Sequence, residues 1–490
     1  MGGGRSRLWD LVGIDPNLHR TFPLSDETFE HSSVLPFSAA EVFAFHARPG
    51  AFRRLVPSWE SVRFDTEPRT LAAGHVERVR VRIGPFWRVW EGRITEVRPD
   101  RGFSDVQLRG PFRSWNHDHE IEPLGDDACR LTDRIRYRLP AGALGTWIAK
   151  GSIEKRLRRM FRYRHDVTAG DLAAHATRSN PTPMKIAITG SGGLLGSHLE
   201  PFLIAGGHSV TRLVRREPEG PLEARWDPDG HAEPDARLEG LDAVVHLAGE
   251  GIATRRWSPR QKALIHDSRV LGTQHLVSTL AKLQAPPRAL LCASAVGIYG
   301  DRGDERLTEG SSLGDDYLAG VCQGWEEVAQ RFTNEGARVA NLRFGAILSP
   351  RGGALARMLP AFRLGVAGRL GSGDQWMSWI SLVDAVHAIH HVLNDASIQG
   401  PVNLVSPTPV TNRAFTRVLG QVLHRPTIAP MPAVAARLAF GELADALLLA
   451  SQRAVPDVLT SAGFTFAHSG MEDALRHLLG RVASPATAKS

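Results

Sequence analysis

Tyrosine and cysteine are scarce in this 490-residue chain, with four of the first and three of the second. Cys129, Cys292 and Cys322 are too few and too dispersed for a disulfide framework or a structural zinc site, and a reducing compartment fits. Long uncharged apolar runs are missing too. The most apolar late stretch, Ala433 to Ala450, carries Arg437, Glu442 and Asp445 at helical intervals and reads as an amphipathic globular helix, so no membrane span is expected. The N-terminus has no apolar core of a secretory signal, from which a cytoplasmic location follows. Gly2 to Ser6 matches a myristoylation pattern, but one so short that it recurs by chance. Lysine occupies only a handful of positions, so the formal charge of +7 is carried by arginine. Those arginines are interspersed with acidic residues and do not interleave with aromatics on one surface, which sets nucleic acid aside as a partner.

With 42% hydrophobic and 23% charged residues, the chain has ordinary globular composition, and its length exceeds what one core usually serves. A polar stretch with two prolines, Ala176 to Pro183, interrupts it and reads as a linker. Before the linker, alternating runs predict antiparallel strands at His75 to Ile83, Phe86 to Val97, Phe103 to Leu108, Ser114 to Pro123 and Cys129 to Tyr137. An arginine-rich helix from Ile153 to about Ala174 should cover that sheet, and Ser38 with Glu41 forms a capping box at an earlier helix start. The result is a helix-grip shape with space between sheet and helix. His117 and His119 share one side of a strand, but without a third ligand at a recognisable spacing they read as surface or pocket polar groups, and no metal site is assigned. Trp87, Trp90 and Trp115 either line a cavity or pack under the helix.

This half resembles the START/polyketide-cyclase-like (SRPBCC) superfamily over roughly residues 28 to 175, on the runs Phe29 to Leu35, Ser38 to Phe45, Trp115 to Pro123 and Leu131 to Pro140. The resemblance implies a pocket for a small apolar or amphipathic ligand.

After the linker, Ile186-Ala-Ile-Thr-Gly-Ser-Gly-Gly-Leu-Leu-Gly-Ser-His-Leu199 places a strand, a glycine-rich turn and an apolar-faced helix in succession, the context that gives a glycine pattern meaning. Gly190 permits the tight turn, Gly193 lets the backbone approach a pyrophosphate, and Gly196 allows helix to pack on strand. The helix N-terminus then offers N–H groups to phosphate, with Ser191, Leu194 and Leu195 alongside. The next strand, Ser209 to Val214, ends in Arg215 and Arg216 where an NAD enzyme would carry a carboxylate. Two guanidiniums suit a 2′-phosphate, so NADP(H) is the expected cofactor, although strand-to-loop transitions are often basic in any case. Strand and helix patterns continue to alternate, predicting a doubly wound parallel sheet. His246 to Gly249, including Leu247 and Ala248, would end a strand beside adenosine and ribose, and Ser294 to Tyr299 would end the next near the nicotinamide, with Phe344 closing a later one.

These residues resemble an extended short-chain dehydrogenase/reductase of the atypical, epimerase-like branch, from Met184 to about Gly480. The likeness rests on Thr189 to Gly196, Ala248 to Ile252, Ser268-Arg269, Ser294 to Gly300, Trp325-Glu326, Trp379 to Asp384 and Pro401 to Val410. It implies a nucleotide site at these positions and a small C-terminal α/β substrate-side domain. The expected organisation is an N-terminal extension (1–27), a helix-grip domain (28–176), a linker (177–183), a Rossmann domain (184–400), the C-terminal domain (401–480) and a tail (481–490).

Members of that superfamily normally pair a tyrosine with a lysine four residues on, which lowers the phenol's pKa. Here Tyr317 is followed by Val321, and the only other tyrosine of this half is Tyr299. Either tyrosine is a candidate acid/base, with Ser294 as a hydrogen-bonding partner for a substrate carbonyl. Asp384 either touches substrate or caps the helix that it begins. Two readings follow: an NADP-dependent oxidoreductase or epimerase acting on a small, apolar or amphipathic molecule, or a non-catalytic sensor of NADP(H) and a hydrophobic ligand. Neither reading fixes an oligomeric state.

Overall fold

The computed structural model describes residues 26–481 apart from 68, 140–141, 177–181 and 232. The myristoylation pattern and most of the proline-containing linker lie outside the described residues. None of the described helices is long and apolar enough to cross a membrane.

The first half is a seven-stranded antiparallel sheet under one long helix. Its strands are β1 (Glu27–Leu35), β2 (Val62–Phe64), β3 (Val76–Ile83), β4 (Phe86–Arg98), β5 (Gly102–Arg109), β6 (Ser114–Pro123) and β7 (Cys129–Arg138), arranged β1-β7-β6-β5-β4-β3-β2. Two short helices, α1 (Ala39–Ala47) and α2 (Ala51–Arg54), follow β1, and the capping box at Ser38 is formed as expected. Register shifts between β4 and β5 mark bulges, which bend a strand. Helix α3 (Gly142–Ala176) lies over the sheet, and Leu157 and Phe161 pack onto Phe29, Trp115, Ile135 and Tyr137. Of the tryptophans, Trp115 and Trp90 meet edge-on in this layer, ring centroids 5.1 Å apart, whereas Trp87 is exposed beneath the Arg63 guanidinium.

The second half is a seven-stranded, wholly parallel sheet. It contains β8 (Lys185–Thr189), β9 (Ser209–Val214), β10 (Glu223–Arg225), β11 (Ala243–His246) and β12 (Ala289–Ala295), ordered β10-β9-β8-β11-β12, and continues with Arg338–Phe344 and Gly400–Leu404. The order reverses between β8 and β11, and such a switch point opens a crevice beyond the strand ends. Helices α4 (Gly196–Ala205), α5 (Pro259–Ala281) and α6 (Tyr317–Gln330) flank the sheet, and apolar clusters fill both faces, as burial of a parallel sheet requires. The expected single helix over Ala433 to Ala450 is corrected. It stops at Phe440 because Gly441 turns the chain with φ +65°, and a π-helical turn follows at Ala444–Leu449.

The halves are clamped together. Arg54 on α2 makes a bidentate pair with Asp171 on α3 at 2.6 and 2.9 Å, and Asp171 also receives His387 at 2.9 Å, all three buried. Arg351 donates to the Val56, Pro57, Ser58 and Glu60 carbonyls across the same junction, and Arg212 on β9 pairs with Glu67. Burial would raise the Asp171 carboxyl, but the Arg54 guanidinium overrides it and holds it well below the usual carboxylate range.

Candidate functional site

From β8 the chain enters Gly190, where φ is +69°. A Cβ there would also lie 2.9 Å from the Leu247 carbonyl, so turn and close approach both require glycine. At Gly196 a Cβ would come within 2.4 Å of the Gly190 oxygen, and only glycine lets the first turn of α4 seat against the loop. Gly192 faces open space, and no side chain caps α4. Backbone amides are therefore presented at the switch-point crevice, the arrangement that receives a phosphate.

The loop is braced from behind. Thr189 Oγ1 accepts from the Leu247 and Ala248 amides at 3.0 and 3.1 Å, and its hydroxyl donates to His246 Nδ1 at 2.7 Å. His246 Nε2–H then donates to Thr273 Oγ1 at 2.9 Å. This makes His246 a neutral, fully buried imidazole, and burial lowers its pKa to about 3.

The two arginines after β9 are not equivalent. Arg216 is held by Glu223 through two contacts of 2.8 Å, while Arg215 is exposed and enters none of the ion pairs found among the described residues. Leu247, Ala248 and Gly249 follow β11 directly, beside the glycine loop. Phe344 ends its strand half-buried, packed against both apolar faces.

The three candidate catalytic hydroxyls do not converge. Ser294 is buried and donates to Glu326 at 2.7 Å, and Glu326 is gripped by Arg343 through two contacts of 2.8 Å. Arg343 also donates to the Tyr299 hydroxyl at 2.9 Å, and that hydroxyl donates to Asn403 at 2.8 Å. Ser294 and Tyr299 thus belong to one buried polar chain, in which burial raises the Tyr299 phenol above its ordinary value. Tyr317 stands apart at the start of α6, donating to the Lys262 carbonyl at 2.7 Å, with the Trp257 ring set against its own. Burial raises its phenol too, and the Arg269 guanidinium acts in the opposite sense.

Nothing in the sequence marks Arg269 beyond its place in the Ser268-Arg269 motif. Its largely buried guanidinium lies against Gly249 and 5.1 Å over the Trp325 ring. Lys262, also on α5, sets its Nζ 4.8 Å over the Tyr317 ring, so a cation from α5 accompanies that tyrosine although no lysine stands four residues on. Asp384 is corrected on both alternatives: Ser381 caps the helix, and the buried Asp384 carboxylate accepts from Ser381 Oγ and from the Ala467 and His468 amides.

In the first half, the reading of His117 and His119 as lacking a third partner is corrected. Asp105 sits opposite His117 on β5, and Asp133 sits opposite His119 on β7. Asp133 is 3% exposed, and its Oδ1 accepts from His117 Nε2 at 2.8 Å and His119 Nδ1 at 2.7 Å. Its Oδ2 accepts from His165 Nε2 on α3 at 2.6 Å. Burial alone would raise this carboxyl, yet the three imidazoles hold it well below the usual range.

Comparison with known proteins follows the same division. Residues 186–404 match the NAD dependent epimerase/dehydratase family, residues 35–162 the family described as polyketide cyclase / dehydrase and lipid transport, and residues 431–478 a domain of unknown function. An epimerase family protein of Mycobacterium bovis is 46% identical over 297 residues, 60% of this chain and 98% of the relative. The crystal structure of a nucleoside-diphosphate sugar epimerase from Corynebacterium glutamicum is 34% identical with a TM-score of 0.75, covering 92% of this chain and 90% of that one. The human epimerase family protein SDR39U1, solved with NADPH, is 30% identical with a TM-score of 0.57, covering 61% of this chain and 100% of its own. The glycine loop, the parallel sheet around it and these relatives together show that the chain belongs to the NAD dependent epimerase/dehydratase family.

Proposed function

We propose that the chain is an NADP(H)-binding oxidoreductase or epimerase of the atypical short-chain type, working in the cytoplasm and carrying a ligand-binding helix-grip domain. The observation that carries this reading is the braced glycine loop, with open backbone amides at the switch point and the exposed Arg215 at the neighbouring strand end. Gly190, Ser191, Gly193, Leu194, Leu195 and Gly196 hold the pyrophosphate, and Arg215 faces the 2′-phosphate while Arg216 remains with Glu223. Leu247, Ala248 and Gly249 border the adenosine ribose, and Ser294 and Phe344 back the nicotinamide end. The relative solved with NADPH supports that choice of cofactor. The nicotinamide, when bound, gives or takes hydride. Tyr317 exchanges the accompanying proton through its phenol, and Arg269 favours the phenolate by its charge.

Fluorescence titration with NADPH and NADH tests the binding. Arg215→Glu should weaken NADPH about tenfold more than NADH, a difference of about 1.4 kcal/mol, and equal losses would sink the 2′-phosphate assignment. A turnover screen over carbonyl compounds and nucleoside-diphosphate sugars tests the chemistry, with activity expected to vanish in Tyr317→Phe while NADPH binding persists. The second reading, a non-catalytic sensor, is favoured by one specific feature: the Ser294 and Tyr299 hydroxyls are both consumed in buried hydrogen bonds. Tight NADPH binding without turnover of any class in that screen would decide for it.

A further inference from the structure

The cluster on the helix-facing side of the antiparallel sheet has a geometry that leaves one place for a cation. Asp133 is an acceptor only, so both imidazoles beside it direct an N–H toward it: Nε2 of His117 and Nδ1 of His119. In the neutral ring the opposite nitrogen carries a lone pair. His117 Nδ1 and His119 Nε2 are those opposite atoms, and both face one carboxylate oxygen, Asp105 Oδ2, at 3.4 and 3.5 Å. These separations are long for charge-assisted hydrogen bonds. They match the edge of a coordination tetrahedron, because bonds of about 2.1 Å set donor atoms about 3.4 Å apart. One ligand atom from each of Asp105, His117 and His119 lies within 4.8 Å of the others.

We infer that Asp105, His117 and His119 form a binding site for a divalent transition-metal ion of the zinc type, oriented by Asp133. Two imidazoles and a carboxylate are a donor set suited to zinc, with a fourth position left for water or a ligand oxygen. Asp133 fills the outer-shell role such sites require, a carboxylate taking the second N–H of each ligating histidine. His165 fixes Asp133 in turn, with its own Nδ1 accepting from Ser33 Oγ at 2.8 Å. A single divalent ion would balance the charges of Asp105 and Asp133, the first partly exposed and the second buried. The site has walls and an entrance: Phe103 stacks on His119 at 3.9 Å and Phe161 meets His117 at 5.2 Å, while the Asp105 and His119 side chains keep 18% and 12% exposure. This proposal is independent of the nucleotide site in the other half.

The full chain, stripped with a chelator, is titrated with zinc against a chromogenic competitor, and cobalt(II) is added as a spectroscopic substitute. One equivalent per chain with intense tetrahedral cobalt bands is expected, together with a rise in melting temperature on adding zinc. Asp105→Asn and His119→Gln should abolish the equivalent and the temperature rise, and Asp133→Asn should weaken binding by roughly 10- to 100-fold. Circular dichroism and a cooperative melt check that each variant is folded; Asp105→Asn keeps the side chain's shape at a partly exposed position and serves if His119→Gln does not fold. No zinc binding by the stripped wild-type chain would overturn the site, leaving a histidine–carboxylate charge cluster. An equivalent that survives in Asp105→Asn and His119→Gln would overturn it as well. So would one that disappears in His390→Ala, which would place the ion on the His175, His208 and His390 group between the halves.

Discussion

At the switch point of the parallel sheet the groups offered to a ligand are backbone amides, and the side chains around them are small or apolar. On the helix-facing side of the antiparallel sheet the opposite holds: the backbone is spent in the ladder, and it is the side chains of Asp105, His117, His119, Asp133 and His165 that cluster. The difference follows from the two architectures. A parallel sheet ends its strands in loops and helix N-termini whose N–H groups are unpaired. An antiparallel meander leaves no such ends in its middle, so function there must come from side chains on alternate residues of neighbouring strands. One region therefore depends on glycine at set points; the other depends on the identity of its polar side chains.

Three substitutions sharpen that contrast. The largest effect is expected at Asp133→Ala, which removes the acceptor shared by three imidazoles, two of them buried; breaking a buried charged cluster costs about 3–5 kcal/mol. Urea unfolding of the chelator-stripped chain reads this, and a loss under 1 kcal/mol would show that the cluster behaves like an exposed one. Next is a pH effect at His246. Its folded pKa, about 3, lies below the ordinary unfolded value near 6.5, so protonation favours unfolding. Its contribution is complete above about pH 6.5 and declines as pH falls toward 3, at about 1.4 kcal/mol per unit. Between pH 7 and pH 5 the wild type should lose about 2 kcal/mol more than His246→Gln, and identical pH dependence in both would refute the neutral, buried assignment. Smallest in free energy is Gly196→Ala, whose Cβ would collide with the Gly190 oxygen. NADPH affinity should fall at least about tenfold, about 1.4 kcal/mol, with the circular dichroism spectrum retained; unchanged affinity would mean that the loop moves without consequence for binding.

Much of the fold was legible before any coordinates. The five strands read from alternation in the first half appear within a residue or two of their places and the capping box at Ser38 is formed, whereas the covering helix ends near its expected place but begins at Gly142, eleven residues before Ile153. Period-two and period-3.6 patterns are local, and burial of one face writes them directly into the sequence. The glycine loop was legible for a related reason, since Gly190 has a positive φ in its own tight turn and Gly196 answers to contact with that loop. The catalytic candidates were not legible in the same way. Nothing local distinguishes Ser294 or Tyr299 as members of a buried chain with Glu326, Arg343 and Asn403, because their partners lie between 32 and 104 residues away. Arg269 and Tyr317 are likewise joined only by the packing of α5 against α6.

The residues themselves determined that there would be a helix-grip half, a parallel-sheet half and a phosphate-accepting turn, because strand period, helix capping and the steric needs of a tight turn act over a few neighbouring residues. Which polar side chains meet was decided by tertiary structure. His117 and His119 acquire Asp105 and Asp133 only through the registers of β5, β6 and β7, and Arg216 finds Glu223 on an adjacent strand. Hydrogen bonds and ion pairs act over a few ångströms in space, whatever the distance along the chain, so their partners emerge only once the sheets have closed.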